Sequence, residues 1–271
     1  MPILNKDMTL CISLAGRPSN IGTRFHNYLY DELGLNFAYK AFTTRDLEGA
    51  IRGVRALGIR GCSVSMPFKE AVIPLVDELT ASAGAIDSVN TIVNDDGHLA
   101  AYNTDYEAVA MLIGRHALDP AASVLVRGSG GMAKAVVAAF RDAGFGQLTV
   151  LARNEDAGRA LADKYGYRWV REDPRPGAEI IVNVTPLGMD GPEAGVLAFP
   201  LSHVEAARTV FDVVASPAQT PLVRAAQAAG KPVISGAEVI ALQAARQFEL
   251  YTGVSITADQ VERAAAFSRA G

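Results

Sequence analysis

The stretch "SVLVRGSGGMAKAVVAAFRDAG", residues 123–144, constrains the fold more than any other part of the chain. A short run of Val and Leu reads as a buried strand, glycines come directly after it, and an amphipathic helix opens behind them. Gly128 permits the tight turn, while Gly130 and Gly131 let backbone N–H groups come close to a ligand. A helix N-terminus carries partial positive charge, so the arrangement suits a pyrophosphate. Ala133 fills the last place of the Gly-x-Gly-x-x-Gly spacing, and the candidate cradle is Gly128, Ser129, Gly130, Gly131, Met132 and Ala133. A strand-to-helix turn without a ligand is the plainer alternative. Against it stands the order of the next three elements: a strand "QLTVLARN", a helix "EDAGRALADKYG" and a strand "EIIVNVTPLGM".

The end of that second strand bears on the cofactor. An NAD site places a carboxylate there, about 20 residues beyond the glycines, to accept from the ribose 2′-OH. This chain has Arg153 and Asn154, with no acid until Glu155 and Asp156. An arginine pairs with a 2′-phosphate, so the expected cofactor is NADP, with Arg153 and Asn154 at its adenosine end. As an ordinary surface residue Arg153 would carry no such meaning.

The N-terminal part alternates in the same way: "TLCISLAG", a helix from about 23 to 33, "FAYKAFT", a helix from about 47 to 57, "GCSVSM", and a helix from about 69 to 75. "AIDSVNTIVNDDGHLAAYNTD" then reads as two strands turning at Asp95-Asp96-Gly97, before a helix beginning near Asp105. Strands at "TVFDVVA" and "PVISG" flank the helix "PLVRAAQAAG", and two closing helices return to the first half. The expectation is an α/β protein of two domains with a cleft between them. Residues 1–104 and 238–271 form a mainly parallel catalytic domain, and 105–237 a Rossmann-type domain.

At 271 residues and 49% hydrophobic content the chain can fill two cores. Its net charge of −4 and scattered cations offer no field for nucleic acid. No run nears the roughly 18 apolar residues of a membrane span. Small molecules are the expected partners, and the cytosol the expected location. Cys11 and Cys62 sit in apolar strand-like runs and read as buried thiols of a reducing compartment. Four histidines without spaced thiol or carboxylate partners give no metal pattern.

Lys69 comes after a strand and a proline in "GCSVSMPFKEAV". In a helix's first turn a lysine works against the helix dipole, which favours a functional reading over a solvated one. Oxidising a secondary alcohol needs a group that takes the hydroxyl proton as hydride leaves, and a lysine can take it and return it. Asp105, after Asn103 and Thr104 and before "YEAVAMLI", reads from its position as an N-cap of the next helix. His26, in "TRFHNYLY", reads as a half-buried hydrogen-bonding residue.

Seven segments in order, "SVSMPFK", "DSVNTIV", "AYNTD", "GSGGMAKA", "NVTPLGM", "FDVVASPAQTPL" and "GAEVIALQAARQFELYTG", make the chain resemble the shikimate dehydrogenase family, in particular its divergent shikimate dehydrogenase-like branch. The resemblance covers nearly the whole chain. It implies NADP-linked exchange of hydride with a ring carbon bearing hydroxyl or ketone. It also implies Lys69 as catalytic lysine with Asp105 beside it, and Ser65, Asn90 and Gln243 as substrate contacts. Thr185 would line the nucleotide site, and Gly236 would hold the nicotinamide amide.

Two departures concern the substrate. The family's Ser-x-Ser loop, which holds the substrate carboxylate, is here "GRPSNIGTRFHN", with Asn20 and Gly22 at the serine positions and Ser19 and Thr23 as nearby donors. Ala215 stands where a tyrosine is common. Shikimate itself is therefore expected to be a slow substrate. Quinate or another ring acid, and an NADP sensor without turnover, are the competing expectations.

Overall fold

The structure, a computed structural model, describes residues 4–270. It divides into two units, one ending at Thr104 and resuming at Ala241, the other running from Asp105 to Ile240.

The first unit contains β1 (Thr9–Leu14), α1 (Asn20–Glu32), β2 (Phe37–Phe42), α2 (Leu47–Ala56), β3 (Gly61–Val64), β4 (Glu78–Leu79), α3 (Ala81–Gly84), β5 (Thr91–Asp95) and β6 (His98–Tyr102). Its sheet runs β2-β1-β3-β5-β6-β4, with β1 parallel to β2 and β3, β4 parallel to β6, and β5 antiparallel to both neighbours. Side chains alternate between faces along a strand. Ile12, Leu14, Cys62 and Val64 therefore meet Ile51 and Val54 of α2 on one side. Cys11 and Tyr39 meet Phe25, Leu29 and Tyr30 of α1 on the other. Both cysteines are free and buried, as their apolar runs imply; burial pushes the Cys11 thiol up to about 12. The hairpin turns at Asp96 and Gly97, whose φ values of 49° and 92° are those a two-residue turn between twisted strands needs.

The helix expected at 69–75 is absent. Residues 66–72 form successive turns, and only Ile73–Leu75 makes a single 3₁₀ turn. Pro74 has no N–H to continue an α-helix and Pro67 interrupts the chain just before, so the bonds close short loops, Phe68 N donating to Ser65 O and Leu75 N to Val72 O, each at 2.9 Å. Lys69 thus stands in a turn, and the dipole argument for it lapses. β4 and α3 are too short for periodicity to reveal.

α4 (Thr104–Arg115) leads into the second unit, which holds β7 (Val124–Arg127), α5 (Gly131–Asp142), β8 (Leu148–Leu151), α6 (Glu155–Lys164), β9 (Arg168–Val170), β10 (Ile180–Asn183), α7 (Leu201–Ala206), β11 (Thr209–Asp212), α8 (Pro221–Ala228) and β12 (Val233–Ser235). The sheet order is β12-β11-β10-β7-β8-β9 and every pairing is parallel. Strands buried on both faces read as unbroken apolar runs, which is why β7 and β10 are visible in the sequence and three-residue β9 is not. α9 (Gly236–Thr252) and α10 (Ala258–Arg269) close the chain. Their part from Ala241 onward belongs to the first unit, where Phe248 and Tyr251 join the cluster around α1. Among the described residues no helix is long and apolar enough to cross a membrane.

His26 differs from its expected role. It is fully buried, stacks on Tyr39 with ring centroids 4.4 Å apart, and neither ring nitrogen has a hydrogen-bond partner among the described residues. Burial holds its pKa down to about 3, so it stays neutral in the fold. An unfolded chain binds a proton there below about pH 6.5, and the folded chain does not until about pH 3. Stability supplied by the neutral imidazole is complete above pH 6.5 and falls with pH across that window. We expect the acid side of a urea-stability profile to be flatter in His26→Phe, by up to about 1 kcal/mol per pH unit; equal slopes for both proteins would contradict it.

Candidate active site

Three parallel strands of the first unit end side by side. Leu14 pairs with Phe42 and with Val64, and backbone bonds continue past them, Ser65 N donating to Leu14 O and Gly16 N to Met66 O, each at 2.9 Å. This carboxyl edge is where open parallel sheets present ligands. Ser65 is exposed there. Two residues earlier on the same face, Ser63 Oγ donates to Gln247 Oε1 at 3.0 Å. Gln243 lies one helical turn before Gln247, on the same face of α9.

Asn90 is the centre of the group. It is 3% exposed, its Oδ1 accepts from Thr104 N and from Thr91 Oγ1 at 2.8 Å each, and its Nδ2 donates to Thr104 Oγ1 at 3.0 Å and to Gln243 Oε1 at 3.5 Å. Gln243 Oε1 also accepts from Gln247 Nε2 at 3.3 Å, while Gln243 Nε2 has no partner among the described residues and remains a donor for a ligand. Lys69 is half-buried, and its carbonyl accepts from Val89 N at 2.9 Å, which fixes its backbone against the residue before Asn90. α4 begins at Thr104, so Asp105 stands inside the first turn and is buried. Asn20 opens α1 and is exposed. The Thr23 hydroxyl is buried without a hydrogen-bond partner among the described residues.

In the second unit Gly128 has φ +128° and leaves β7 so close to the 184–185 loop that a Cβ would sit 2.7 Å from Val184 Cγ2. No atom lies within 4 Å of a Cβ at Gly130. That residue is the N-cap of α5 and offers no side-chain cap, so the first N–H groups of the helix, at Gly131, Met132 and Ala133, have no helical acceptor. Ser129 is half-buried beside them, and Ala133 is fully buried against the sheet. Arg153 is exposed past β8 with no hydrogen bond or ion pair among the described residues. Arg127, by contrast, pairs with Asp173 and lies 5.0 Å over the Phe199 ring. Asn154 accepts from Ala157 N at 3.1 Å and caps α6.

The 183–190 loop is held by a buried polar network. Asp212, fully buried, accepts from Asn183 Nδ2 at 3.0 Å, Thr220 Oγ1 at 2.6 Å and Val214 N at 3.2 Å. Its pKa is raised by burial despite these donors. Thr185 Oγ1 donates to Asn183 Oδ1 at 2.6 Å and accepts from Leu187 N at 3.2 Å. A Cβ on Gly236 would lie 2.4 Å from the carbonyl oxygens of Val213 and Val214, so this position takes glycine on packing grounds alone.

The chain has recognisable relatives. Residues 20–92 match the model of the shikimate dehydrogenase substrate binding domain. A shikimate dehydrogenase-like protein of Haemophilus influenzae is 58% identical over 98% of this chain and 99% of its own length. The chain belongs to the shikimate dehydrogenase family. The shikimate dehydrogenase (NADP(+)) of Chlorobaculum tepidum is 37% identical over 88% of each chain. The Thermus thermophilus shikimate 5-dehydrogenase, solved in complex with NADP(H) and shikimate, superposes with TM-score 0.87 at 29% identity, covering 96% of this chain and 100% of its own.

Sequence reasoning passed over several polar residues of this shikimate dehydrogenase family member. Thr104 and Gln247 complete the Asn90 cluster, and Asn183, Asp212 and Thr220 build the loop that carries Thr185. Gln247 had a signal, since it stands four residues after Gln243 on one helix face. Asp212 had none, because a lone acid at a strand end does not announce three donors. Asp212→Ala would strand those donors in the interior, where each unsatisfied group costs about 1–3 kcal/mol. The expected loss in urea denaturation is therefore about 2 kcal/mol or more, and a change below about 0.5 kcal/mol would show that water replaces the carboxylate.

Proposed function

We propose that this protein is an NADP-dependent oxidoreductase that interconverts a hydroxyl and a ketone on a shikimate-like cyclic polyol acid, and that it is slow on shikimate itself. The observation that carries the reading is the cluster at the edge of the first sheet, where Ser65, Asn90 and Gln243 group neutral hydrogen-bonding side chains near a half-buried lysine. Such groups read ring hydroxyls without adding charge. Relatives named for NADP(+)-linked shikimate dehydrogenation agree with it.

The glycine turn fits the cofactor. Gly128 has no space for a Cβ, Gly130 is open, the start of α5 offers free N–H groups, and Arg153 is exposed for a 2′-phosphate. In this reading Gly128 to Ala133 cradle the pyrophosphate, Arg153 and Asn154 flank the adenosine end, Thr185 lines the nucleotide site, and Gly236 lies at the nicotinamide amide. NADP, when bound, supplies the hydride acceptor or donor. Lys69 Nζ takes the proton from the hydroxyl being oxidised and returns it in reduction, with Asp105 as the countercharge for its ammonium. Asn90, Ser65 and Gln243 orient the ring.

Asn20 and Thr23 recover part of the carboxylate contact that the missing serine pair would make. A carboxylate entering a partly dry pocket needs well-placed donors, and each contact left unpaired costs roughly 1–3 kcal/mol. Steady-state kinetics over shikimate, quinate and related cyclic polyol acids with NADP tests the proposal. We expect turnover of at least one acid, and for shikimate a specificity constant several powers of ten below about 10⁶ M⁻¹s⁻¹. No turnover of any acid would leave a cofactor-binding protein without this chemistry, and an efficient value on shikimate would show that the "SNIGT" loop rebuilds the carboxylate site. Lys69→Ala should lower turnover of the best acid by about 10²–10⁴-fold and leave NADP affinity close to wild type; retained turnover would remove Lys69 from the chemistry. Arg153→Ser should weaken NADP far more than NAD, by about 1.5–3 kcal/mol in titrations of both, and an equal loss for the two would discard the phosphate contact.

A further inference from the structure

At the opposite edge of the second sheet from the glycine turn lies a cavity of about 490 Å³. Its walls come from the starts of β7 and β8 at Val124 and Leu148, from Arg168 at the head of β9, and from the loop bearing Arg175 and Gly177. β7 is four residues long, so about 13 Å of strand separates this edge from Gly128. The size is that of pockets for metabolites.

Its charge is one-sided. Arg168 and Arg175 both line it, no acidic residue does, and neither guanidinium has a hydrogen bond or ion pair among the described residues. Three carboxylates lie close to it in the chain; Glu172 is exposed and does not line it, and the other two are engaged elsewhere. Asp173 pairs with Arg127. Glu179 pairs with Arg208 at 3.0 Å and accepts from Ser123 N at 3.1 Å. Three glycines, Gly146, Gly166 and Gly177, leave backbone bare along the wall. In a chain with net charge −4, two exposed arginines without an ion pair among the described residues line one concavity. The fork of N–H groups on each matches a carboxylate or a phosphate bidentately.

We infer that this cavity is a second ligand site, separate from the nucleotide turn, for a small metabolite carrying two oxyanion groups, one held by Arg168 and the other by Arg175. Carboxylate and phosphate share the required chemistry, and citrate and pyrophosphate serve as probes for the two. Isothermal titration at about 150 mM KCl, where loose surface attraction is screened, measures binding of each to the full chain. The single tryptophan, Trp169, sits next to Arg168 in the chain and reports occupancy by fluorescence.

The expected result is one saturable site for at least one probe with Kd below about 1 mM. It should weaken about 10-fold or more in Arg168→Gln/Arg175→Gln and be unchanged in Arg153→Ser. The probe that binds names the oxyanion. Circular dichroism and NADP titration of the double variant should match wild type. No saturable binding of either probe overturns the inference. So does binding that survives the double variant, or that Arg153→Ser weakens, since the anion then sits at the nucleotide turn. A double variant that loses NADP affinity as well overturns it too, because the arginines would then be structural.

Discussion

The first unit depends on one buried amide. Asn90 takes part through its backbone as well as its side chain: its carbonyl accepts from Val64 N at 2.7 Å and its N–H donates to Tyr102 O at 3.1 Å, joining β3 to the β6 end of the hairpin. The side chain then holds the first N–H of α4 and reaches Gln243 on α9. A buried amide left unpaired is costly, so each of these elements is held by the requirement to satisfy the others. The open end of the sheet is consequently cross-linked by paired polar groups from β3, β6, α4 and α9.

The second unit solves a similar problem with a carboxylate. β10 ends in a loop that packs on Gly128 and β11 in a loop that packs on Gly236, and loops carry backbone groups that a sheet no longer satisfies. Asp212 gathers Asn183, Thr220 and Val214 N, and Thr185 closes the start of the loop on itself. Gly128 and Gly236 complete the arrangement, because the Val184 and Thr185 side chains occupy the space a Cβ would take at the first and the Val213–Val214 backbone occupies it at the second. The residues expected to meet the cofactor are thus positioned by packing that would be needed even in its absence.

One consequence is that structural and ligand roles overlap in single residues. Asn154 caps α6 and also borders the expected adenosine end; Thr185 stabilises its own loop. Arg127 and Arg153 show the opposite case. Arg127 ends β7 and Arg153 follows β8, yet one is fixed by Asp173 and Phe199 while the other is left in solvent, and sequence position alone does not separate them.

The sequence by itself determined what local chemistry decides. The glycine turn, the Asp-Gly hairpin, the parallel strands of the second unit and the absence of a carboxylate after β8 are each legible within a few residues, because they rest on φ preference, hydrophobic run length and residue charge. Tertiary structure decided the rest. Asn90 meets Gln243 across 153 residues, and no window of sequence contains both. Two prolines turned an expected helix at Lys69 into successive turns, and His26 lost its expected partners because five aromatic rings surround it. Which face an arginine or imidazole meets is fixed by packing between distant segments, where contact and desolvation outweigh any preference the residue carries alone.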